Sequence, residues 1–149
     1  MTGRGLATEF NSPDESPGLL LWQVTNRWQA AQRAALKPFG LTHVQFVLLA
    51  SLAWLGKPVT QRELAAHACT DPMMTSQVLR ALEQRELVAR SAHPSDARAR
   101  AVSVTRAGKS LANRANAAVE NCDRQFFAPL PSGGSRFAAA LRMLRDASV

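Results

Sequence analysis

Two helix-start signals lie close together near the middle of the chain, and they constrain its fold more than any other feature. Thr60 and Glu63 match a capping box, in which the hydroxyl accepts from a backbone N–H and the carboxylate reaches back. Asp71-Pro72 then combines an N-cap acid with proline at the first helical position. These signals predict a short helix, a tight turn at Cys69-Thr70 and a second helix over residues 72–85, which together make a helix-turn-helix.

The hydrophobic period changes directly after this second helix. Apolar residues recur at helical spacing up to Leu82, whereas Leu87 to Ala92 and Ala101 to Thr105 alternate as strands do. The segment between the two strands, His93 to Arg100, is polar and is typical of a hairpin tip. A helix-turn-helix followed by such a hairpin predicts a winged helix-turn-helix.

Further helices flank this unit. Residues 1–18 contain several breakers and predict a flexible N-terminal arm. Residues 19–40 predict a helix, closed by Pro38 and Gly40. Residues 41–105 hold another helix and the winged unit, and residues 106–149 predict a long helix to about Phe127 and a shorter last one. We therefore predict a mainly α fold with a small β-wing (α+β).

The charge of the chain is unevenly distributed. The net charge is +7, and between Arg80 and Lys109 seven basic side chains stand against three acidic ones. A local cationic excess is what a surface for a polyanion requires. Composition alone does not separate DNA from RNA, from an anionic membrane or from an ordinary solvated basic face.

The outer side of helix 72–85 carries side chains suited to the major groove. Ser76 and Gln77 are short donors and acceptors for base edges or phosphates, and Arg80 can reach a guanine or a phosphate. An arginine on the hairpin tip can enter the minor groove, where the potential is more negative. An ordinary amphipathic surface helix and a solvated loop are the alternatives. The candidate DNA-binding residues are Met74, Ser76, Gln77, Arg80, Gln84, Arg98 and Arg100.

Four runs of sequence together resemble the multiple-antibiotic-resistance-regulator (MarR) family. They are DPMMTSQVLRALE at 71–83, LVAR at 87–90, HPSDAR at 93–98 and VSVTRAG at 102–108. The resemblance covers about residues 19–147. It is most specific at the Asp-x-Arg hairpin tip, which is followed by a strand and a Thr-x-x-Gly helix start.

The resemblance implies a role for each part of the chain. Proteins of this kind are homodimers whose N- and C-terminal helices interlock, so residues 19–40 and 106–149 are expected to dimerise. Their two winged units bind a pseudo-palindromic operator in double-stranded DNA. The resemblance places the minor-groove arginine at Arg98 and its acidic partner at Asp96. Arg90 is expected to support the wing or to pair with a ligand carboxylate.

One position departs from the family pattern. The family usually has glycine just after the recognition helix, where the chain enters a left-handed conformation, and this chain has Glu86. A side chain there costs about 1 kcal/mol or more. Either Glu86 adopts that conformation in spite of the strain, or the helix ends differently.

Members of the family often bind small aromatic or phenolic effectors where the dimerisation helices meet the DNA-binding core. The candidate residues for such a site are Trp22, Trp28, His43 and Trp54. Plain core packing is the alternative for these large side chains.

Other functional classes lack their sequence signals. There is no Gly-rich phosphate loop, no Gly-x-Ser-x-Gly elbow and no cluster of catalytic carboxylates, so no enzymatic activity is expected. No Cys-x-x-Cys or His-Glu-x-x-His spacing occurs, so neither a metal nor a cofactor is expected. No apolar run approaches the roughly 20 residues of a membrane span, and no secretory signal is recognised. Two cysteines are too few for a disulfide framework, which indicates a reduced, cytoplasmic protein.

The sequence therefore predicts a dimeric transcriptional regulator, in the role of a repressor, that a small aromatic ligand releases from DNA. A nonspecific nucleic-acid-binding protein and a winged-helix module for protein interaction are the two alternatives.

Overall fold

The structure uses the helix-start signals of the sequence. It is a computed structural model that describes residues 5–147, so the first four residues of the expected arm and the last two of the C-terminal segment lie outside the described residues. The Thr60 hydroxyl accepts from the Glu63 backbone N–H, and the Glu63 carboxylate accepts from the Thr60 N–H, each at 3.0 Å. The Asp71 carboxylate accepts from the Met74 N–H at 2.9 Å. Both predicted helix starts are confirmed.

Six α-helices and one two-stranded sheet make up the described part of the chain. The helices are α1 (Pro17–Leu36), α2 (His43–Leu55), α3 (Gln61–Ala68), α4 (Pro72–Gln84), α5 (Arg106–Phe127) and α6 (Ser135–Asp146). The strands β1 (Val88–Ala92) and β2 (Arg100–Val104) pair antiparallel, with Arg90 opposite Val102. Short 3-10 turns at Pro13–Glu15, Lys37–Phe39 and Pro131–Gly134 complete the order. The predicted mainly α fold with a small β-wing is confirmed.

The wing is attached to the helix-turn-helix from two sides. Val59, just before α3, exchanges two backbone hydrogen bonds with Val102 of β2, at 3.0 and 2.7 Å. From α4, the Glu83 carboxylate accepts a hydrogen bond from Arg90 Nε of β1 at 2.8 Å. The hairpin is therefore held against α3 and α4 and forms one unit with them.

The hydrophobic core is centred on α2, which packs against α1, α3, α4, α5 and β2. Its members share near-complete burial, and the largest apolar ones are Leu36, Leu48, Leu49, Leu52, Leu64, Leu79, Leu82 and Val102. Leu111 and Ala115 of α5 belong to the same cluster. The core thus contains residues from both sides of the expected segment boundaries at 40/41 and 105/106. The winged unit and the long helices therefore have one hydrophobic core in common.

The helices differ from membrane spans. In residues 5–147 no single helix combines the length and the apolarity of a span. Only Pro17–Phe39 and His43–Leu55 taken together reach them, and this pair is bent by 73° at its break. The second of the two is the central core helix α2, which accounts for its apolar composition.

The N-terminal arm, expected to be flexible over residues 1–18, is ordered in its second half. The Ser16 hydroxyl accepts from the Leu19 N–H at 3.2 Å, and α1 begins at Pro17 rather than at Leu19. Ser16-Pro17 is the same cap-and-proline signal as Asp71-Pro72. It lies among other helix-breaking residues, so the sequence alone does not distinguish it from them. The prediction of a flexible segment was wrong for these residues.

The helix α4 ends in a Schellman motif. The Leu87 N–H donates to the Leu82 carbonyl at 3.0 Å, and the Glu86 N–H donates to the Glu83 carbonyl at 2.9 Å. Glu86 has φ 58° and lies in the left-handed region. The first of the two alternatives for Glu86 is therefore confirmed, and the motif forms around a residue with a Cβ.

A second left-handed residue ends α3. Cys69 has φ 53°, and the Thr70 N–H donates to the Ala65 carbonyl at 3.0 Å in the same motif. The sequence located the turn but did not indicate this conformation, because glycine, the usual signal, is absent.

Replacing Glu86 by glycine is expected to raise the free energy of unfolding by about 1 kcal/mol, because glycine adopts positive φ without steric cost. The measurement is urea denaturation at fixed protein concentration, which keeps any association between copies of the chain constant. Glu86→Ala is the matched control, since it removes the same carboxylate but keeps the Cβ, and no comparable gain is expected. A lower melting temperature for Glu86→Gly would refute the strain at this cap.

Candidate nucleic-acid interface

Four exposed side chains form the outer face of α4, namely Met73, Gln77, Arg80 and Gln84. They recur at helical spacing and therefore project to one side. The opposite side of the helix carries buried Thr75, Leu79 and Leu82. Since the inner side is fixed in the core, the outer face of α4 is free to enter a groove that admits one helix.

Two of the predicted contacts on α4 are joined to each other. Arg80 Nη2 donates to the Ser76 hydroxyl oxygen at 3.2 Å, and Ser76 is half-buried on the wing side of the outer face. The serine therefore orients the arginine, while its own O–H remains a donor. Gln77 and Gln84 are exposed beside them.

Met74 lies on the flank of α4 beside the outer face and is 46% exposed, so its contact with DNA stays a prediction. It is on the flank of α4 that faces α1 and α2, where it lines a cavity with His43. Met73, which the sequence analysis left out, is on the outer face and is 70% exposed. Successive residues of an α-helix are rotated by about 100°, so Met73 lies within the outer face whereas Met74 lies at its edge. An exposed methionine offers an apolar contact of the kind that a thymine methyl accepts.

The tip of the wing is organised by His93 and Asp96. The backbone N–H groups of Ser95 and Asp96 both donate to His93 Nδ1 at 3.2 Å, so this nitrogen is the acceptor of the ring. The Asp96 carboxylate accepts from the Arg98 backbone N–H at 3.0 Å. No local pattern in the sequence indicates this role of His93, because a histidine beside proline has many uses.

Asp96 therefore acts on Arg98 through the backbone. This contact is compatible with the expected role of Asp96 as the acidic partner of Arg98. A short acidic side chain at a turn bonds readily to an N–H two residues on. The Arg98 side chain is exposed at the tip and is available to a ligand.

The cationic side chains of this surface are not neutralised within the described residues. Over residues 5–147 the ion pairs are Glu83–Arg90 and Arg145–Asp146. Arg80 on α4, Arg98 at the tip and Arg100 at the start of β2 are exposed and have no acidic side chain at ion-pair distance. The outer face and the wing tip together form one exposed, positively charged surface.

The four candidate effector residues do not come together. Trp28 and His43 are neighbours, with ring centroids 5.0 Å apart in an edge-on arrangement. Trp22 on α1 is 67% exposed, and Trp54 near the end of α2 is 84% exposed. The prediction of a single site was wrong for these two, because sequence spacing does not reveal which side of the bundle a helix turns outward.

A cavity of about 450 Å³ lies beside His43, between α1, α2 and α4. Its polar lining includes Gln29, Arg33, Thr42, His43 and Thr70, and Met74 closes it from the side of α4. Next to it, Trp28 Nε1 and Gln32 Nε2 both donate to Asp123 Oδ1 of α5, at 2.9 and 2.7 Å. The cavity therefore contacts both α1 and α4.

The chain matches the family model described as "MarR family" over residues 41–99. It is 44% identical over 124 residues to the uncharacterized HTH-type transcriptional regulator YdcH of Bacillus subtilis, covering 81% of this chain and 84% of that protein. It is 37% identical over 124 residues to the HTH-type transcriptional repressor Rv2887 of Mycobacterium tuberculosis, covering 83% and 88%. The chain belongs to the MarR family.

Solved structures agree with this membership. CouR from Rhodococcus jostii RHA1, bound to p-coumaroyl-CoA, has a TM-score of 0.85 at 26% identity, covering 94% of this MarR protein and 99% of that chain. Rv2887 in complex with DNA has a TM-score of 0.66 at 32% identity, covering 89% and 98%. Rv2887 has also been solved with salicylic acid, with a TM-score of 0.67 at 37% identity, covering 87% and 96%. The predicted family is confirmed, and the chain is a transcriptional regulator of that family.

The thiol of Cys122 in this MarR protein is only partly exposed. Burial, and to a smaller extent Asp123, raises the pKa of the Cys122 thiol above its ordinary 9.0, so the thiolate is disfavoured. Over residues 5–147 no three His, Cys, Asp or Glu side chains are grouped so as to hold a metal ion.

His43 makes the stability of this MarR protein depend on pH. Burial beside the cavity, reinforced by Arg33, lowers the pKa of His43 below its ordinary 6.5, although Asp123 opposes the shift. Below about pH 6.5 the unfolded chain therefore binds a proton that the folded chain resists. The free energy of unfolding consequently decreases as the pH is lowered. The loss between about pH 7.5 and 5.5 is expected to be smaller in His43→Gln, as measured by urea denaturation. An equal loss in both proteins would show that His43 is not desolvated.

Proposed function

We propose that this MarR protein is a homodimeric repressor that inserts α4 into the major groove of an operator and the wing tip into the minor groove. The observation that carries the proposal is the exposed cationic surface, with the outer face of α4 beside Arg98 and Arg100. Rv2887, a relative named as a repressor and solved with DNA, supports the same use of this fold. A repressor acts on chromosomal DNA, which supports a cytoplasmic location.

The dimer is supported by apolar surface that a single protomer leaves open. Along α1, Leu21 and Trp22 are each more than half exposed, and on α6 so are Met143 and Leu144. The helix α6 buries none of its residues within its own protomer. Contiguous apolar surface of this kind is typical of an interface, and we assign it to a second copy of the chain.

Two winged units in a symmetric dimer read two half-sites. Recognition helices about one helical turn apart, roughly 34–36 Å, face the same side of the duplex. The operator is therefore expected to be pseudo-palindromic, with half-sites related by the two-fold axis of the protein.

Arg98→Ala is expected to weaken operator binding about tenfold or more at fixed salt, because the variant loses a charged contact in the minor groove. The probe is the tightest-binding duplex that the unmodified protein selects from a random library, and the readout is fluorescence anisotropy. Arg114→Ala, which removes an exposed arginine from α5, is the matched control and should bind within about twofold.

Unchanged binding by Arg98→Ala would contradict the role of the wing. Scrambling the selected duplex tests sequence recognition by Gln77 and Arg80 on the outer face, together with Ser76. Equal affinity for selected and scrambled duplexes would favour a nonspecific nucleic-acid-binding protein, and absence of salt-dependent binding would favour a protein-interaction module.

We further propose that the cavity beside His43 holds an aromatic acid that releases the operator. Arg33 supplies a cation for a carboxylate, and the ring of His43, held by its edge-on contact with Trp28, supplies aromatic surface in the same cavity. Salicylic acid in Rv2887 and p-coumaroyl-CoA in CouR are aromatic ligands of relatives. Because the cavity touches both α1 and α4, a ligand that prefers another separation of the recognition helices lowers operator affinity.

Salicylate is expected to bind the protein and to weaken its operator complex, whereas Arg33→Met should bind salicylate about tenfold more weakly through loss of the ion pair. Isothermal titration measures the first effect, and anisotropy with and without salicylate measures the second. Arg114→Met controls for the loss of one positive charge. Equal salicylate affinity in Arg33→Met and the unmodified protein would exclude this cavity as its site.

A further inference from the structure

The last residues of the recognition helix are bonded to both long dimerisation helices. On one side, Arg85 Nη1 donates to the Gly40 carbonyl at 2.8 Å. Gly40 ends the 3-10 turn that follows α1, with φ 65°. A charged donor on a backbone carbonyl is stronger than a neutral one. The end of α4 is therefore held against the end of α1.

On the other side, the chain leaving α4 is joined to the start of α5. The Thr105 hydroxyl donates to the Glu86 carbonyl at 2.8 Å, and the Thr105 N–H donates to the Leu87 carbonyl at 3.0 Å. Thr105 is also the N-cap of α5, because its hydroxyl accepts from the Gly108 N–H. A Cβ at Gly108 would overlap the Leu87 carbonyl, so the two backbones are in direct contact.

The two dimerisation helices are themselves tied together. Trp28 and Gln32 of α1 both donate to the Asp123 carboxylate of α5. Contacts thus run from α1 to α5, from α5 to the end of α4, and from the end of α4 back to α1 through Arg85. Of these links, the one through Arg85 depends on a single exposed side chain, whereas the link to α5 is a close backbone contact.

We propose that Arg85 is a positioning residue that sets the separation of the two recognition helices and so the half-site spacing that the dimer accepts. Leu79 and Leu82 keep the inner side of α4 in the core, and release of Arg85 from Gly40 removes one restraint on the tilt of the helix about its close contact with α5. Arg85 does not lie on the outer face of α4 but on the flank with Met74 and Val78, turned toward α1 and α2. The inference rests on the proposed dimeric operator binding.

The test compares half-site spacing in the unmodified protein, in Arg85→Met, which keeps the apolar stem, and in Arg114→Met as the matched loss of charge. The duplexes are the tightest binder selected by the unmodified protein and versions lengthened or shortened by one base pair at the centre. The preference for the selected spacing is expected to fall about threefold or more in Arg85→Met and to stay unchanged in Arg114→Met. The slope of log affinity against log salt should be the same for the unmodified protein and Arg85→Met.

Two results would overturn the proposal. A folded Arg85→Met protein with the same spacing preference as the unmodified protein would show that the hydrogen bond to Gly40 does not position α4. A salt slope reduced by about 1 would show that Arg85 contacts a phosphate instead. If Arg85→Met does not fold, Arg85→Lys, which keeps the charge on a shorter side chain with one donor centre, is measured and should shift the preference in the same direction. Failure of the unmodified protein to bind any duplex would instead reject the proposed function.

Discussion

Burial of the inner side of α4 against α2 is the interaction on which the rest of the molecule depends. Leu79 and Leu82 are fully buried with Leu48 and Leu49, and α5 adds Leu111 to the same cluster. This packing decides which side of α4 faces solvent and at what angle the helix leaves the body. Because the core includes the long helices, the orientation of the recognition helix is set relative to the segments proposed to dimerise. A shift of one of these elements therefore changes the packing of the other.

The junctions around α4 combine strain with close contact. Cys69 before the helix and Glu86 after it both have left-handed backbones that favour glycine, whereas Gly108 is glycine because a backbone carbonyl leaves no room for a Cβ. Strain at these two caps lies within the unit proposed to read DNA. The packing of Leu82 and Leu87 in the core, together with the Schellman hydrogen bonds, offsets the strain at Glu86.

Sequence reasoning was most successful where the signal is local. Capping residues and the change of hydrophobic period located α3, α4 and the wing, and the spacing of Gln77, Arg80 and Gln84 placed them on one face. It was less successful where neighbours in space decide. Met74 was expected to contact DNA, and only the structure showed that it lies on the flank of α4, where it is 46% exposed and lines a cavity. Asp96 was expected to be the acidic partner of Arg98, but only the structure showed that its carboxylate accepts from the Arg98 backbone N–H.

The sequence by itself determined the order of the helices, the starts of α3 and α4, the hairpin, the cationic surface and the family, because capping, periodicity and charge are properties of neighbouring residues. Only the tertiary structure decided that the rings of Trp28 and His43 are in contact while Trp22 and Trp54 are exposed elsewhere. It alone brought Arg85 to Gly40, 45 positions earlier in the chain. Contacts between distant segments depend on how helices cross and rotate in the core, and a pattern along one chain does not encode those angles.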